Sequence, residues 1–213
     1  MEFIDLANEQ STAITDALLA LIALASLVYL RQNLTTQKWK LQIWVGLFGV
    51  LTFASSLGAV VHGFKIPFEL QTNLWHLLNF SLALLVSLFA IASTNDIFSE
   101  KTSRRVLPFV LFIALIFFVS TLFWPDSFNI FIIYQLTIML YSLSGYFWLA
   151  YTDKLKGSVY MTLGILITIT ASFIQTTELS VTLIWLFDHN GIYHLIQILG
   201  VISLVIGIKR GLG

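Results

Sequence analysis

Long apolar runs separated by short charged intervals dominate the chain. Stretches at 13–30, 41–64, 74–94, 106–124, 128–151, 158–176 and 190–208 carry almost no charge, and Asp16 alone interrupts one of them. A helix needs about 20 apolar residues to cross the hydrocarbon of a bilayer. The pattern therefore predicts an all-α polytopic membrane protein, a single domain over 1–213 built from seven transmembrane helices. Helices satisfy every backbone polar group within the segment, as hydrocarbon demands. The short alternating strands of a membrane β-barrel are not visible. The segment 178–187 is too short to span. It reads either as a flap over one end of the bundle or as an N-terminal extension of helix seven, after which Asp188-His189-Asn190-Gly191 breaks the pattern.

Composition strengthens this reading. The chain is 58% hydrophobic and 10% charged, against about 45–50% and about 25% for soluble domains. An ordinary soluble enzyme, a nucleic-acid-binding domain and a disordered tail are excluded. There is no cysteine, hence no disulfide, thiolate ligand or cysteine nucleophile. The acidic start, with Glu2 and Asp5, lacks the basic region of a cleaved signal peptide.

Net charge is zero, but its placement is informative. Arg31, Lys38, Lys40, Lys101, Arg104, Arg105, Lys154, Lys156, Lys209 and Arg210 fall in intervals on one side, and only Lys65 on the other. Basic residues mark the cytoplasmic side, so the N-terminus is expected outside and the C-terminus in the cytoplasm. Glu2, Asp5, Glu9, Glu69, Asp126, Glu178 and Asp188 fall outside. Trp39, Trp44 and Trp148 fall near the inner interface, and Trp75, Trp124 and Trp185 near the outer one, as aromatic belts do. Pro108 is placed in the first turn of its helix and Pro125 just after the end. Localisation follows as multi-pass, in the cell membrane if the source is bacterial.

Polar residues inside a membrane are costly and tend to mark function. With this orientation, His62, His76, His189 and His194 all lie toward the outer surface. Residues three, four and seven apart share a helix face. Ser55, Gly58 and His62 align on helix two, His76 and Asn79 on helix three, and Asn190, His194 and Gln197 on helix seven. Asp16, Gln135, Ser172 and Gln175 reach similar depth, with Thr12 and Thr15 nearby. The inner half holds fewer polar groups, mainly Tyr141, Ser142, Ser144, Thr162 and Ser203. A polar cavity open toward the outer leaflet follows if these faces point inward.

Three histidines and a water make an open catalytic zinc site, where zinc brings the bound water's pKa to about 7. His62, His76 and His194 are the candidate zinc ligands, with Asp16 or Asp188 as general base or ligand-orienting carboxylate. Ser55, Asn79, Gln135, Ser172, Asn190 and Gln197 are further cavity candidates. The residues leave a second reading open, in which the histidines and amides are inter-helix hydrogen bonds and Asp16 is a helix-dipole carboxylate.

The chain resembles the superfamily of alkaline ceramidases and adiponectin-receptor-like proteins, seven-helix membrane hydrolases. His62 stands at the end of helix two as the family's histidine does. The run Asn190-Gly191-Ile192-Tyr193-His194 is similar to its helix-seven His-x-x-x-His pair, with Asn190 in the first position. Gly58 occupies the place of the family's serine, and His76 that of its helix-three aspartate. The resemblance implies a zinc-dependent hydrolase acting on a lipid amide or ester. The other classes are a non-enzymatic lipid or small-ligand binding protein, receptor or complex subunit, and a haem or proton carrier. Membrane lipids are the expected partners, and a lipid the expected substrate or ligand; nucleic acid is not expected.

Overall fold

The computed structural model describes residues 2–123, 127–182 and 184–213. Among them, seven helices are long and apolar enough to cross a membrane: α1 Ala7–Arg31, α2 Lys38–Gly63, α3 Phe68–Ile97, α4 Glu100–Phe123, α5 Ser127–Tyr151, α6 Ser158–Gln175 and α7 His189–Leu212. Four two-residue strands decorate one end: β1 Glu2–Phe3, β2 Phe64–Lys65, β3 Val181–Thr182 and β4 Leu186–Phe187. Trp124, Pro125, Asp126 and Leu183 lie outside the described residues.

The helices alternate in direction. α1 runs against α2, with Ala13 beside Gly63, Asp16 beside Gly58 and Leu27 beside Gly49. α6 runs against α7, where Gly164 and Gly200 each approach the other's carbonyl. Small residues permit such close backbone approach, the main source of attraction between helices in lipid. Gly157, the N-cap of α6, adopts φ +86° with the Gly207 carbonyl against it, a place where any Cβ would collide.

α3 and α5 run parallel and are joined by a ladder of side chains. Ser87 bonds Tyr134 (2.8 Å), Thr94 bonds Tyr141 (2.9 Å), Ser142 donates to Ser93 (2.8 Å) and Tyr146 donates to Asp96 (2.9 Å). Ser87 and Thr94 are seven residues apart, as are Tyr134 and Tyr141, so two turns of one helix match two turns of its parallel neighbour. α4 buries only Ser103, Ala114, Phe117 and Thr121 and turns its remaining face outward, where Phe109, Phe112 and Ile116 are exposed.

Several boundaries differ from the hydropathy pattern. α1 begins six residues before 13, because its polar first turns find partners: Gln10 donates to the Ile4 carbonyl (2.6 Å) and Thr12 to Asp188 (2.8 Å). α4 begins at Glu100, so Pro108 lies inside the helix rather than in its first turn. The charged stretch joins that helix through a Glu100–Arg104 pair one turn apart at 2.9 Å, and Arg104 stacks over Trp39 at 3.9 Å. The segment 178–187 is no helical extension. It carries the β3–β4 hairpin, with β4 against α1 and the start of α7.

The bundle's two ends are closed differently. At the end holding the N-terminus, β1 pairs antiparallel with β2, and Phe3 stacks on Phe64. Lys65 lies 2.7 Å from Asp5 and 3.7 Å from Glu2; the hydrogen bond to Asp5 holds its ammonium above the usual lysine range. At the opposite end, Lys40 is not a solvated loop cation. It is 2% exposed, 2.8 Å from Asp96, and donates to the Gly211 carbonyl at 3.2 Å, capping the end of α7. The half of the bundle opposite the N-terminus is thus more polar than its sequence suggests.

Candidate functional site

A cavity of about 330 Å³ opens between α1, α2, α3 and α7 at the N-terminal end of the bundle. Its polar wall carries Asp16, Ser55, His62, Asn79, Asn190 and His194. Deeper, Leu51, Leu82, Leu85, Phe131 and Tyr193 line both this cavity and a second chamber of about 70 Å³ reaching toward Met139 and Leu204. A third, largely apolar pocket between α5 and α6 shares Gln135 and Met139 with that chamber. The space is amphipathic: polar at one end, hydrocarbon-lined along its depth.

α1 and α7 meet at the polar wall. Asp16 Oδ1 lies 3.3 Å from His194 Nε2, and Thr15 Oγ1 lies 3.1 Å from His194 Nδ1. Asp16 is 5% and His194 8% exposed. Thr15 Oγ1 also sits 3.0 and 2.9 Å from the Ser11 and Thr12 carbonyls. Its one proton is directed at the backbone, so His194 Nδ1–H donates to it. The Nε2 lone pair then faces the Asp16 carboxyl across 3.3 Å.

The Asp16 carboxylate also presses against α2. A Cβ on Gly58 would lie 2.5 Å from Asp16 Oδ2. Glycine at this position is what lets a carboxylate from the next helix enter the wall. One turn further along α2, His62 Nδ1 lies 2.7 Å from Glu9 Oε2, and its ring meets Trp75 edge-on at 5.5 Å. Among the described residues, no Lys or Arg lines the cavity.

Of the candidates read from the sequence, His62, His194, Asp16, Ser55, Asn79 and Asn190 converge on the cavity. Gln135 and Gln197 line the second chamber, and Ser172, which accepts from Gln135 at 2.7 Å, lines the third pocket. Asn190 accepts from Gln175 at 3.2 Å. His76 does not line the cavity. Asp188 does not either: its Oδ1 accepts from Gly191 N (2.9 Å) and Thr12 (2.8 Å), making it the N-cap of α7 and a tie to α1. Among the described residues, no three His, Asp or Glu side chains are placed to hold a metal ion. His62 and His194 thus share the cavity wall without His76.

Hydropathy alone marks neither Glu9 nor Trp75 as a site residue. Glu9 precedes its apolar run, and Trp75, at the start of the run 74–94, reads as a belt residue. Helical spacing from Glu9 to Asp16, seven residues on one face, was the available signal.

By length and composition, these helices define a multi-pass membrane protein with an amphipathic cavity at one end. The chain belongs to a family of unknown function (DUF6962), whose model matches residues 11–212. No curated protein and no solved structure matches it.

Proposed function

We propose that this protein binds an amphipathic lipid in the cavity, its polar head at Asp16, His62 and His194 and its chain along the apolar depth. The observation that carries the reading is the continuity of a carboxylate–histidine wall with hydrocarbon-lined space. The absence of Lys and Arg from that wall, together with Asp16 and Glu9, disfavours an anionic head and favours a neutral or cationic one bearing hydrogen-bond donors. Positive charges concentrated at the opposite end support an orientation with the N-terminus outside, even with Lys40 withdrawn by its buried pair. The cavity then faces the outer leaflet.

Native mass spectrometry of the purified protein tests this. A co-purifying lipid with a neutral or cationic head, lost from an Asp16→Ala, His194→Ala double variant that still folds, is the expected result. A lipid-free wild type that binds no added lipid overturns it.

A second reading, hydrolysis of a lipid ester or amide, is favoured by the Thr15–His194–Asp16 chain. There, a ring nitrogen and a carboxyl lie 3.3 Å apart at the cavity wall, the pairing general acid–base chemistry uses. This reading keeps the activity implied by the resemblance to alkaline ceramidases and adiponectin-receptor-like proteins but draws no step from zinc. Asp16 filling the space beside Gly58, where that family has a serine, supports a reorganised site. Fatty-acid release from a lipid ester or amide, with metal analysis of the same sample, separates the two readings.

A further inference from the structure

The second chamber contains an unsatisfied polar atom. Gln197 is 8% exposed, and its Oε1 has no hydrogen-bond partner among the described residues. The orientation of the amide is set by its neighbours. Thr168 Oγ1 donates to the Gly164 carbonyl at 2.9 Å, so its only proton is used. It can therefore only accept from Gln197, whose Nε2 lies at 3.2 Å. Swapping the amide would place two acceptors face to face. The carbonyl end is thus turned away from Thr168, on a side chain that lines the chamber.

A buried acceptor without a donor costs roughly as much as a lost hydrogen bond, and native structures rarely leave one so. Gln197 follows His194 by three residues on the same face of α7, about one helical turn or ~4.5 Å deeper. The cavity and chamber share Leu51, Leu82, Leu85, Phe131 and Tyr193, so the two spaces are adjacent and Gln197 lines the one next to His194.

We infer that Gln197 is a specificity-determining contact that reads a hydroxyl on the ligand's chain, about one helical turn below the head group held at Asp16 and His194. The ligand class is a long-chain lipid with a second hydroxyl a few bonds beneath its head, rather than one with a plain hydrocarbon tail. The inference rests on the lipid-binding reading and deepens it. A chain without that hydroxyl covers the Gln197 carbonyl with hydrocarbon and forfeits its hydrogen bond; a chain that carries it completes the wall.

Direct binding of two radiolabelled probes to the purified wild-type protein in detergent tests this: a long-chain 1,4-diol and the primary alcohol of equal chain length. The diol is expected to bind about tenfold tighter, the value of one buried neutral hydrogen bond. Gln197→Leu is expected to bind both probes equally, at the affinity the wild type has for the alcohol, which also reports a folded cavity. Equal binding of both probes by the wild type overturns the role of Gln197 while leaving the lipid-binding reading standing. Binding of neither probe overturns both. If Gln197→Leu does not fold, the wild-type comparison decides alone. Selectivity that persists in a folded Gln197→Leu also overturns the inference.

Discussion

Asp16 on α1 and His194 on α7 face each other at 3.3 Å, at one end of an apolar bundle and with hardly any exposed surface. They lie 178 residues apart in the chain, yet Thr15 hydrogen-bonds the His194 ring on one side and Asp16 lies against it on the other. Burying such a unit is costly unless each polar atom is matched, and here the matching runs through Thr15 to the backbone of α1.

The pair predicts coupled mutational effects. Asp16→Ala and His194→Ala should each weaken lipid binding about tenfold or more. The double variant should lose less than the sum, with a coupling of about 1–3 kcal/mol, as for residues sharing one network. Additive losses in a double-mutant cycle on binding would contradict a shared unit.

Gly58 should be intolerant of even one methyl group. Gly58→Ala places carbon 2.5 Å from Asp16 Oδ2, so the carboxylate must leave its position beside His194. Alanine is otherwise the better helix residue by about 1 kcal/mol. The expected outcome is a protein of unchanged or higher thermal stability with binding reduced at least as far as in Asp16→Ala. Undiminished binding by Gly58→Ala would remove Asp16 from the polar wall.

The Lys40–Asp96 pair at the other end should act on stability alone. Asp96 accepts from Tyr146 and lies beside Lys40, which in turn caps α7. Lys40→Met leaves a buried carboxylate uncompensated and should cost about 3–5 kcal/mol. Lys40→Met with Asp96→Leu should recover most of that loss. Thermal unfolding in detergent measures both, and lipid binding in the double variant should stay near wild type because the cavity is at the opposite end.

Orientation is testable because the chain has no cysteine. Single variants Glu178→Cys and Thr36→Cys place one thiol at each end of the bundle, both at exposed positions. In intact cells a membrane-impermeant thiol reagent should label Glu178→Cys and spare Thr36→Cys. The reverse pattern would place the cavity on the cytoplasmic side.

The bundle was legible in the sequence because hydrocarbon imposes a one-dimensional rule. Seven apolar runs of sufficient length became seven helices, and only their ends moved. Those ends moved where polar residues found partners far away in the chain: Thr12 with Asp188, Glu9 with His62, Arg104 with Trp39. Pro108, read as a first-turn residue, became internal for the same reason. Depth was also legible, since direction and spacing alone grouped His62, His194, Asp16, Asn190 and Asn79 near one end.

Which of these equally deep residues face one another was decided only by tertiary structure. His76 shares that depth but does not line the cavity, and Asp188 spends its oxygen on the start of α7. The partner of His194 depends on how α1 and α7 rotate against each other, and that rotation is set by close packing at positions such as Gly58 and at the helix ends. Lys40 shows the same division. Its charge counts toward orientation in the sequence, whereas its burial against Asp96 appears only once α2, α3, α5 and α7 are packed together. Hydropathy fixes how deep a residue sits along the helix axis; the angle at which it faces its neighbours is set by contacts between helices distant in the chain.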